Sequence, residues 1–376
     1  MPMDTATAPP RYLLPSSAYW SDEWFDEEQR RLFAHTWHVV ADAAELSEPG
    51  DYVTFDAGHD PLVVVVGLDG VLRCFHNFCR HRGMTLLKGA GNTRPGISCP
   101  YHFWNFALEG DLRRVPQQED QFCSMDRGDW GLLPGSVGIW GGLVFAHPDP
   151  DMGVDDWLGD LPASIGSHRP ELLTEVARHT ITAELNWKLF IENHVDVLHL
   201  WYLHSRTLGD LDHPRFEWQQ LGRNWVSYEP FRSDRQDATL GRSGLPIEHL
   251  EDRDRRGIGA HAAFPNVLMV GAAEFFLVYV ARPISPTRTQ IELRLRGDRA
   301  MAESAEGTAA AMAAAESFIL EDIAGCEGVQ AAIRSTRFQV GPLAVDHERP
   351  IMLFQEHLLE AMGSSDGGSD DVVASG

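Results

Sequence analysis

Two short groups of side chains in this chain are of a type that binds metal: Cys79-Arg-His81 and Cys99-Pro-Tyr-His102. Cysteines supply thiolate charge and histidines supply neutral imidazole. That mixture is the ligand set of a Rieske [2Fe-2S] cluster, in which two cysteines hold one iron and two histidines the other. Imidazoles in place of thiolates lower the negative charge on the cluster, so it accepts an electron readily, as a relay must. A tetrahedral zinc site uses the same four ligands but usually pairs cysteine with cysteine and histidine with histidine, whereas both pairs here are mixed. Buried cysteines and histidines without a metal are the plainest alternative, and the turn-forming residues at each pair, Arg82-Gly83 and Pro100, argue against it. Cys74-Phe-His76 is a further Cys-x-His, but Cys74 sits in an alternating stretch (Val71, Arg73, Phe75) that reads as a strand. Cys79 and His81 are preferred because Gly83 follows at once and lets the backbone close around inorganic sulfide.

A second group lies in the stretch from Asn186 to His204, which reads as helical and carries Asp196, His199 and His204. Asp196 and His199 share a helix face at this spacing and can hydrogen-bond. His199 and His204 stand about 140° apart around an ideal helix. For both to reach one metal, the helix must widen into a π-type turn or end between them. Two histidines and one carboxylate, with other positions open, make the facial triad of non-haem Fe(II) enzymes that activate oxygen. Asp196 is the nearest carboxylate, but its spacing suits hydrogen bonding to a histidine and fixing its orientation. His194 falls off this pattern and reads as structural, Asn193 as a hydrogen-bonding neighbour of the metal or an ordinary helix residue, and Cys326 as a buried thiol. His35 and His38 read as surface or packing residues.

Together the two motifs resemble the Rieske non-haem iron oxygenases, specifically the catalytic (alpha) subunit of the aromatic ring-hydroxylating dioxygenases and Rieske monooxygenases. The resemblance implies an α+β chain, with an all-β Rieske [2Fe-2S] domain followed by a helix-grip-like α/β catalytic domain built on an antiparallel sheet. It implies cluster ligands Cys79, His81, Cys99 and His102, and mononuclear Fe(II) ligands His199, His204 and, from a distant helix within 302–334, Asp322, with Glu321 as the alternative. Asp196 would be an electron bridge between subunits, facing the cluster histidine His102 of a neighbour in a head-to-tail homotrimer. O2 would be the co-substrate, and electrons would come from NAD(P)H through a separate flavin reductase, a ferredoxin, or both. The implied reaction is hydroxylation, cis-dihydroxylation or oxidative demethylation of a small organic substrate, aromatic or N- or O-methylated. Pocket walls are expected from Asn193, Leu200, Met312 and Phe318 and from the strand near Phe275 to Tyr279. A small beta subunit is left open. The alternative is a Rieske electron-transfer protein without oxygen chemistry, and the size of the second domain argues against it.

The elements that must position these residues follow from length and pattern. A chain of 376 residues exceeds what one core usually supports and suggests two domains. Residues 1–38 read as an arm and a short helix, with Asp26 to Gln29 as a capping box and Leu32, Phe33 and Trp37 on the buried face, packed on the rim of the following domain. Residues 39–150 read as strands: Pro61–Gly67, the Asp69-Gly70 turn, Val71–Phe75, a hairpin turning at Glu109-Gly110, and Gly138–Ala146. The cluster ligands fall at two facing hairpin tips, with Trp104 and Met84 shielding the cluster or filling core. Prolines and glycines over 148–170 mark a boundary, 151–362 is the catalytic domain, with Asn186-Trp187-Lys188 assigned to packing, and the Gly/Ser/Asp tail 363–376 is expected to be disordered. Charge is 31 − 55 = −24, which argues against a nucleic-acid partner. Five cysteines without a disulfide-like framework fit a reducing, cytoplasmic setting. No apolar run approaches the length of a membrane span, and residues 1–10 lack a leader pattern. No Gly-x-Gly-x-x-Gly element is present for nicotinamide binding, so a separate protein must oxidise NAD(P)H.

Overall fold

Ser21, not Asp26, begins the first helix in the computed structural model, which describes residues 9–235 and 238–363; apart from Gly363, the tail predicted to be disordered lies outside these. Helix α1 (Asp22–Arg31) is capped by the Ser21 side chain, which accepts from the Trp24 amide. Asp26 lies inside the helix and pairs with Arg30. A 3-10 turn, Phe33–His35, follows, so Trp37 is not on a helix. The helix does meet the rim of the Rieske domain, where Asp26 bonds His59 at 2.9 Å, but its apolar residues are buried elsewhere. Leu14, Tyr19, Leu32 and Phe33 join the core of the second domain, where Phe33 meets Trp187 edge-on at 5.1 Å.

The first domain contains β1 (His38–Asp42), β2 (Asp51–Ala57), β3 (Asp60–Val66), β4 (Leu72–His76) and β5 (Ala90–Asn92). It continues through β6 (Ile97–Ser98), β7 (Asn105–Phe106), β8 (Leu112–Arg114), β9 (Pro134–Trp140) and β10 (Leu143–His147). Seven strands form one sheet in the order β1-β10-β9-β4-β3-β2-β5, and β6-β7-β8 form a small second sheet. Gly138–Ala146 is not a single strand. It folds back at Gly141 and Gly142, whose φ angles of 58° and 78° favour glycine and make a tight hairpin between β9 and β10.

The second domain opens with β11 (Thr174–Ala183) and helix α2 (Trp187–Val195). Strands β12 (Glu217–Leu221), β13 (Asn224–Pro230), β14 (Gly257–Ala263), β15 (Val267–Gly271), β16 (Phe276–Ser285) and β17 (Arg288–Gly297) follow, and then helices α3 (Ala305–Ala332) and α4 (Arg349–Ala361). The antiparallel sheet has the order β11-β17-β16-β15-β14-β13-β12. Successive side chains of a strand point to opposite faces, and β16 is apolar on both. Leu277, Tyr279 and Ala281 pack into the core that α2, α3 and α4 cover. Phe276, Val278 and Val280 pack with Trp37, Val39, Leu143 and Phe145 of the first domain. Each large apolar side chain so buried contributes about 1.5–3 kcal/mol. The domains therefore share a core, and the buried Arg296–Asp42 ion pair ties them further.

A buried polar network fastens the arm to α2. Lys188 Nζ lies 2.5 Å from Glu28 Oε1, both side chains being fully buried, and Trp187 Nε1 donates to Glu28 Oε2 at 2.8 Å. Glu192 Oε1 accepts from Tyr19 Oη at 2.7 Å and from Gln355 Nε2 at 2.8 Å. Lys188 therefore does more than pack. Removing one member of a buried pair leaves a desolvated charge. Lys188→Met is expected to cost about 3–5 kcal/mol in chemical denaturation, and adding Glu28→Gln should recover part of it.

Burial holds the Glu192 carboxyl up at about 7, against the lowering influence of Tyr19, Gln355 and Lys188. The folded protein keeps a proton there that the unfolded chain has released. This contribution to stability is complete below the ordinary carboxyl range and is lost as pH rises through about 7. Unfolding midpoints measured from about pH 5 to about pH 8 should fall less steeply for Glu192→Gln than for the wild type.

Candidate functional site

The two Cys/His pairs sit on two loops of like build. Cys79 donates its amide to Met84 O at 2.8 Å while Gly83 N returns to Cys79 O at 2.9 Å; Cys99 N bonds Trp104 O at 2.8 Å while Phe103 N returns to Cys99 O at 3.0 Å. The fourth residue after each cysteine is left-handed, Gly83 at φ 72° and Phe103 at φ 57°. Gly83 is thus needed for a backbone angle, and the second loop places a phenylalanine in the same strained conformation. Cys79 and Cys99 are buried, and the His81 and His102 rings lie 4.8 Å apart. Trp104 stacks on His81 at 4.9 Å and 7° and so shields that side, whereas Met84 is exposed.

This quartet fits a cluster and not a single ion. Tetrahedral zinc would hold its donor atoms about 3.3–3.8 Å apart. Among the described residues, only His199, His204 and Asp322 form a group of three or more candidate ligands within 4.8 Å of one another. His81 Nδ1 is buried without a hydrogen-bond partner, which costs free energy unless a ligand satisfies it. Burial, with Cys99 beside it, pushes the Cys79 thiol up to about 11. Only a bound cation makes its thiolate favourable near neutral pH.

The second group is assembled from α2, the loop after it and the middle of α3. Helix α2 ends earlier than the spacing required, because Asp196 is its extended C-cap. His199 lies on a 3-10 turn, Leu198–Trp201, and His204 in the turns that follow. Breaking the helix there lets two histidines on divergent faces converge. Asp196 Oδ1 accepts from Leu198 N at 2.7 Å, and its Oδ2 stands 3.4 Å from His199 Nδ1. That contact is an ion-pair approach without hydrogen-bond alignment, since His199 Nδ1 has no hydrogen-bond partner.

Asp322 Oδ1 lies 2.8 Å from His204 Nε2 and 3.4 Å from His199 Nε2, and accepts from Asn193 Nδ2 at 2.8 Å. Glu321 takes the other side of His204: its Oε2 is 2.8 Å from Nδ1 and accepts from Thr207 Oγ1 at 2.6 Å. Asp322 is therefore the carboxylate that faces both histidines, while Glu321 orients one of them. Burial opposes charge on His199, but Asp196 and Asp322 outweigh it and hold its pKa up at about 9. Burial likewise opposes ionisation of Asp322, and the two histidines overcome it, holding the carboxyl well below its usual range. Two imidazoles and one carboxylate facing a cavity are the donor set of a mononuclear Fe(II) site.

That cavity, of about 80 Å³, is bounded by the triad, Leu200, Phe318 and the inner face of the sheet. Leu200 and Phe318 line it, and of the expected strand Tyr279 alone reaches the wall. Asn193 and Met312 do not line it. Asn193 is turned to Asp322, and Met312 is packed in the core. Sequence reasoning missed Trp225 and Glu229, which come from β13, and Phe216, from the turn before β12. It also took His194 as merely structural. His194 lines the cavity, with Nδ1 2.6 Å from Tyr279 Oη and Nε2 3.1 Å from His261 O. Burial lowers its pKa to about 4, so it is a neutral imidazole that donates from Nε2 and accepts at Nδ1.

Residues 170–364 match the family model of the ring hydroxylating alpha subunit (catalytic domain), and residues 36–126 match that of the Rieske [2Fe-2S] domain. The chain belongs to the ring hydroxylating alpha subunit family, whose members are catalytic subunits of Rieske non-haem iron oxygenases. It is 33% identical over 218 residues to the carnitine monooxygenase oxygenase subunit of Escherichia coli (strain K12), covering 57% of this chain and 58% of that protein. It is 25% identical over 350 residues to the chloroplastic choline monooxygenase of Spinacia oleracea, covering 90% of this chain and 76% of that protein. The carnitine monooxygenase match thus spans little more than half of that relative's length. A solved quaternary ammonium Rieske monooxygenase superposes with a TM-score of 0.79 at 22% identity, over 94% of this chain and 96% of the other. Naphthalene 1,2-dioxygenase from Rhodococcus gives 0.75 at 20% identity, over 94% of each chain. These superpositions establish the fold. No helix among the described residues is long and apolar enough to cross a membrane.

Partners that orient a ligating histidine typically set metal affinity by about 10–100-fold. Glu321→Ala should weaken Fe(II) binding by about that factor in a competitive chelator titration while the thermal midpoint stays close to wild type.

Proposed function

We propose that the protein is the oxygenase component of a Rieske system and oxidises a C–H bond next to a quaternary nitrogen. Electrons come from NAD(P)H through a separate reductase, with or without a ferredoxin. The observation that carries this reading is the His199/His204/Asp322 triad opening onto an aromatic-walled cavity in a chain that also holds the Cys/His quartet. His199, His204 and Asp322 would hold Fe(II), which would supply dioxygen activation, and Cys79, His81, Cys99 and His102 would hold a cluster that would supply single electrons. The balance is one substrate, one O2, two electrons and two protons giving one hydroxylated product and one water.

The chain's own residues prepare this chemistry. Asn193 and Glu321 hold Asp322 and His204 in place. The largely apolar wall lowers the local dielectric, which strengthens electrostatic contacts inside it. Phe216, Trp225, Tyr279 and Phe318 offer aromatic surfaces suited to a diffuse cation, and the carnitine and choline monooxygenase relatives are named for substrates that carry one.

Asp196 is read as the bridge to a neighbouring subunit in a homotrimer. Tyr101 and Phe103 flank His102, Tyr202 and Leu203 follow His199, and all four are exposed apolar residues fit to be covered in such an assembly.

The test is substrate-dependent O2 uptake by iron-replete protein with a surrogate reductase. Trimethylammonium compounds should be consumed with gain of one oxygen. Uptake with neutral aromatics alone would overturn the substrate class, and a reducible cluster with no O2 uptake on any compound would leave an electron carrier. Asp196→Asn should keep both metals and nearly abolish turnover; unchanged turnover would rule out the bridge.

A further inference from the structure

We propose that Glu229 makes the cavity selective for a substrate that bears a positive charge and no carboxylate, an inference that rests on the quaternary ammonium reading above. Strand β13 presents Trp225, Ser227 and Glu229 on its inner, cavity-lining face at the period-two spacing of a strand. Glu229 lies opposite Ile258 in the ladder and is 4% exposed. An acid on the apolar face of a sheet is costly to bury without a charged or hydrogen-bonded partner. Its one partner among the described residues is His213, whose Nδ1 bonds Oε1. Trp201 stacks on the His213 ring at 6.0 Å and 22° and keeps it in place. The second carboxylate oxygen of Glu229 has no hydrogen-bond partner among the described residues, and Glu229 lines the cavity.

The other two lining acids are committed. Asp322 faces the histidines and Asn193, and Asp196 holds the turn at Leu198. No lysine or arginine is among the described lining residues. Away from the triad a substrate carboxylate would therefore find no lysine or arginine and would meet Glu229, whereas a trimethylammonium head would lie among Glu229, Trp225 and Phe216. Like charges across a binding surface reject a ligand as effectively as good contacts select one.

The test is anaerobic calorimetry on iron-loaded holoprotein with three probes: choline, its uncharged carbon isostere 3,3-dimethylbutan-1-ol, and glycine betaine, which adds a carboxylate. Wild type should bind choline at least about tenfold more tightly than either of the others. Glu229→Gln, whose amide oxygen still accepts from His213, should weaken choline about tenfold, leave the isostere unchanged and keep the thermal midpoint. Glu229→Asp should retain the preference for charge. Equal loss of choline and isostere, with a lowered midpoint, would make Glu229 a strut between β13 and the His213 turn and overturn the proposal. So would glycine betaine binding as tightly as choline. Failure of all three probes alongside binding of a neutral aromatic would instead contradict the quaternary ammonium reading itself.

Discussion

A buried carboxylate must be met by positive charge or hydrogen bonds, and in this protein Asp322 sets that demand. It sits in the middle of a long helix, within reach of two imidazoles and the Asn193 amide. The helix bearing Asn193 has to stop at Asp196 so that His199 and His204 can turn toward it. Glu321, the preceding residue, can then hold the far side of His204. One acid thus fixes where α2 ends, how the following loop runs and which face of α3 is turned inward.

Such a site needs a frame that does not yield, and the shared core supplies it. Strand β16 is buried on both sides, one against the helices and the other against the first domain. The arm closes the remaining side through Glu28, Lys188, Tyr19 and Gln355, all buried. Interiors packed at this density respond to small changes of volume or charge. Residues far from the triad therefore have a strong hold on its geometry.

The metal chemistry was legible from residue types and spacing, because a ligand set is dictated by the metal and tolerates few substitutes. The two mixed Cys/His pairs and the Asp196/His199/His204 series were identified in the sequence, and Asp322 followed from the resemblance. Local punctuation was less readable. Ser21 displaced Asp26 as a cap because both precede acidic, helix-favouring residues, and only packing decides between them. The hairpin at Gly141-Gly142 was overlooked inside an apolar run. The cavity was the least legible part. Its wall comes from alternate residues of β13 and from loops whose convergence depends on the curled sheet, so Trp225 and Glu229 carried no signal at short range. His194 was set aside for being off the helical pattern, yet hydrogen bonds to Tyr279 and His261 from other strands give it a place in the wall.

Metal and sulfide content of anaerobically purified protein tests the central claim most directly. The account predicts about three irons and about two acid-labile sulfides per chain. In His199→Ala about one iron should be lost while the visible spectrum of the cluster persists. Stoichiometric zinc without labile sulfide, or a His199→Ala protein that keeps all of its iron, would contradict it.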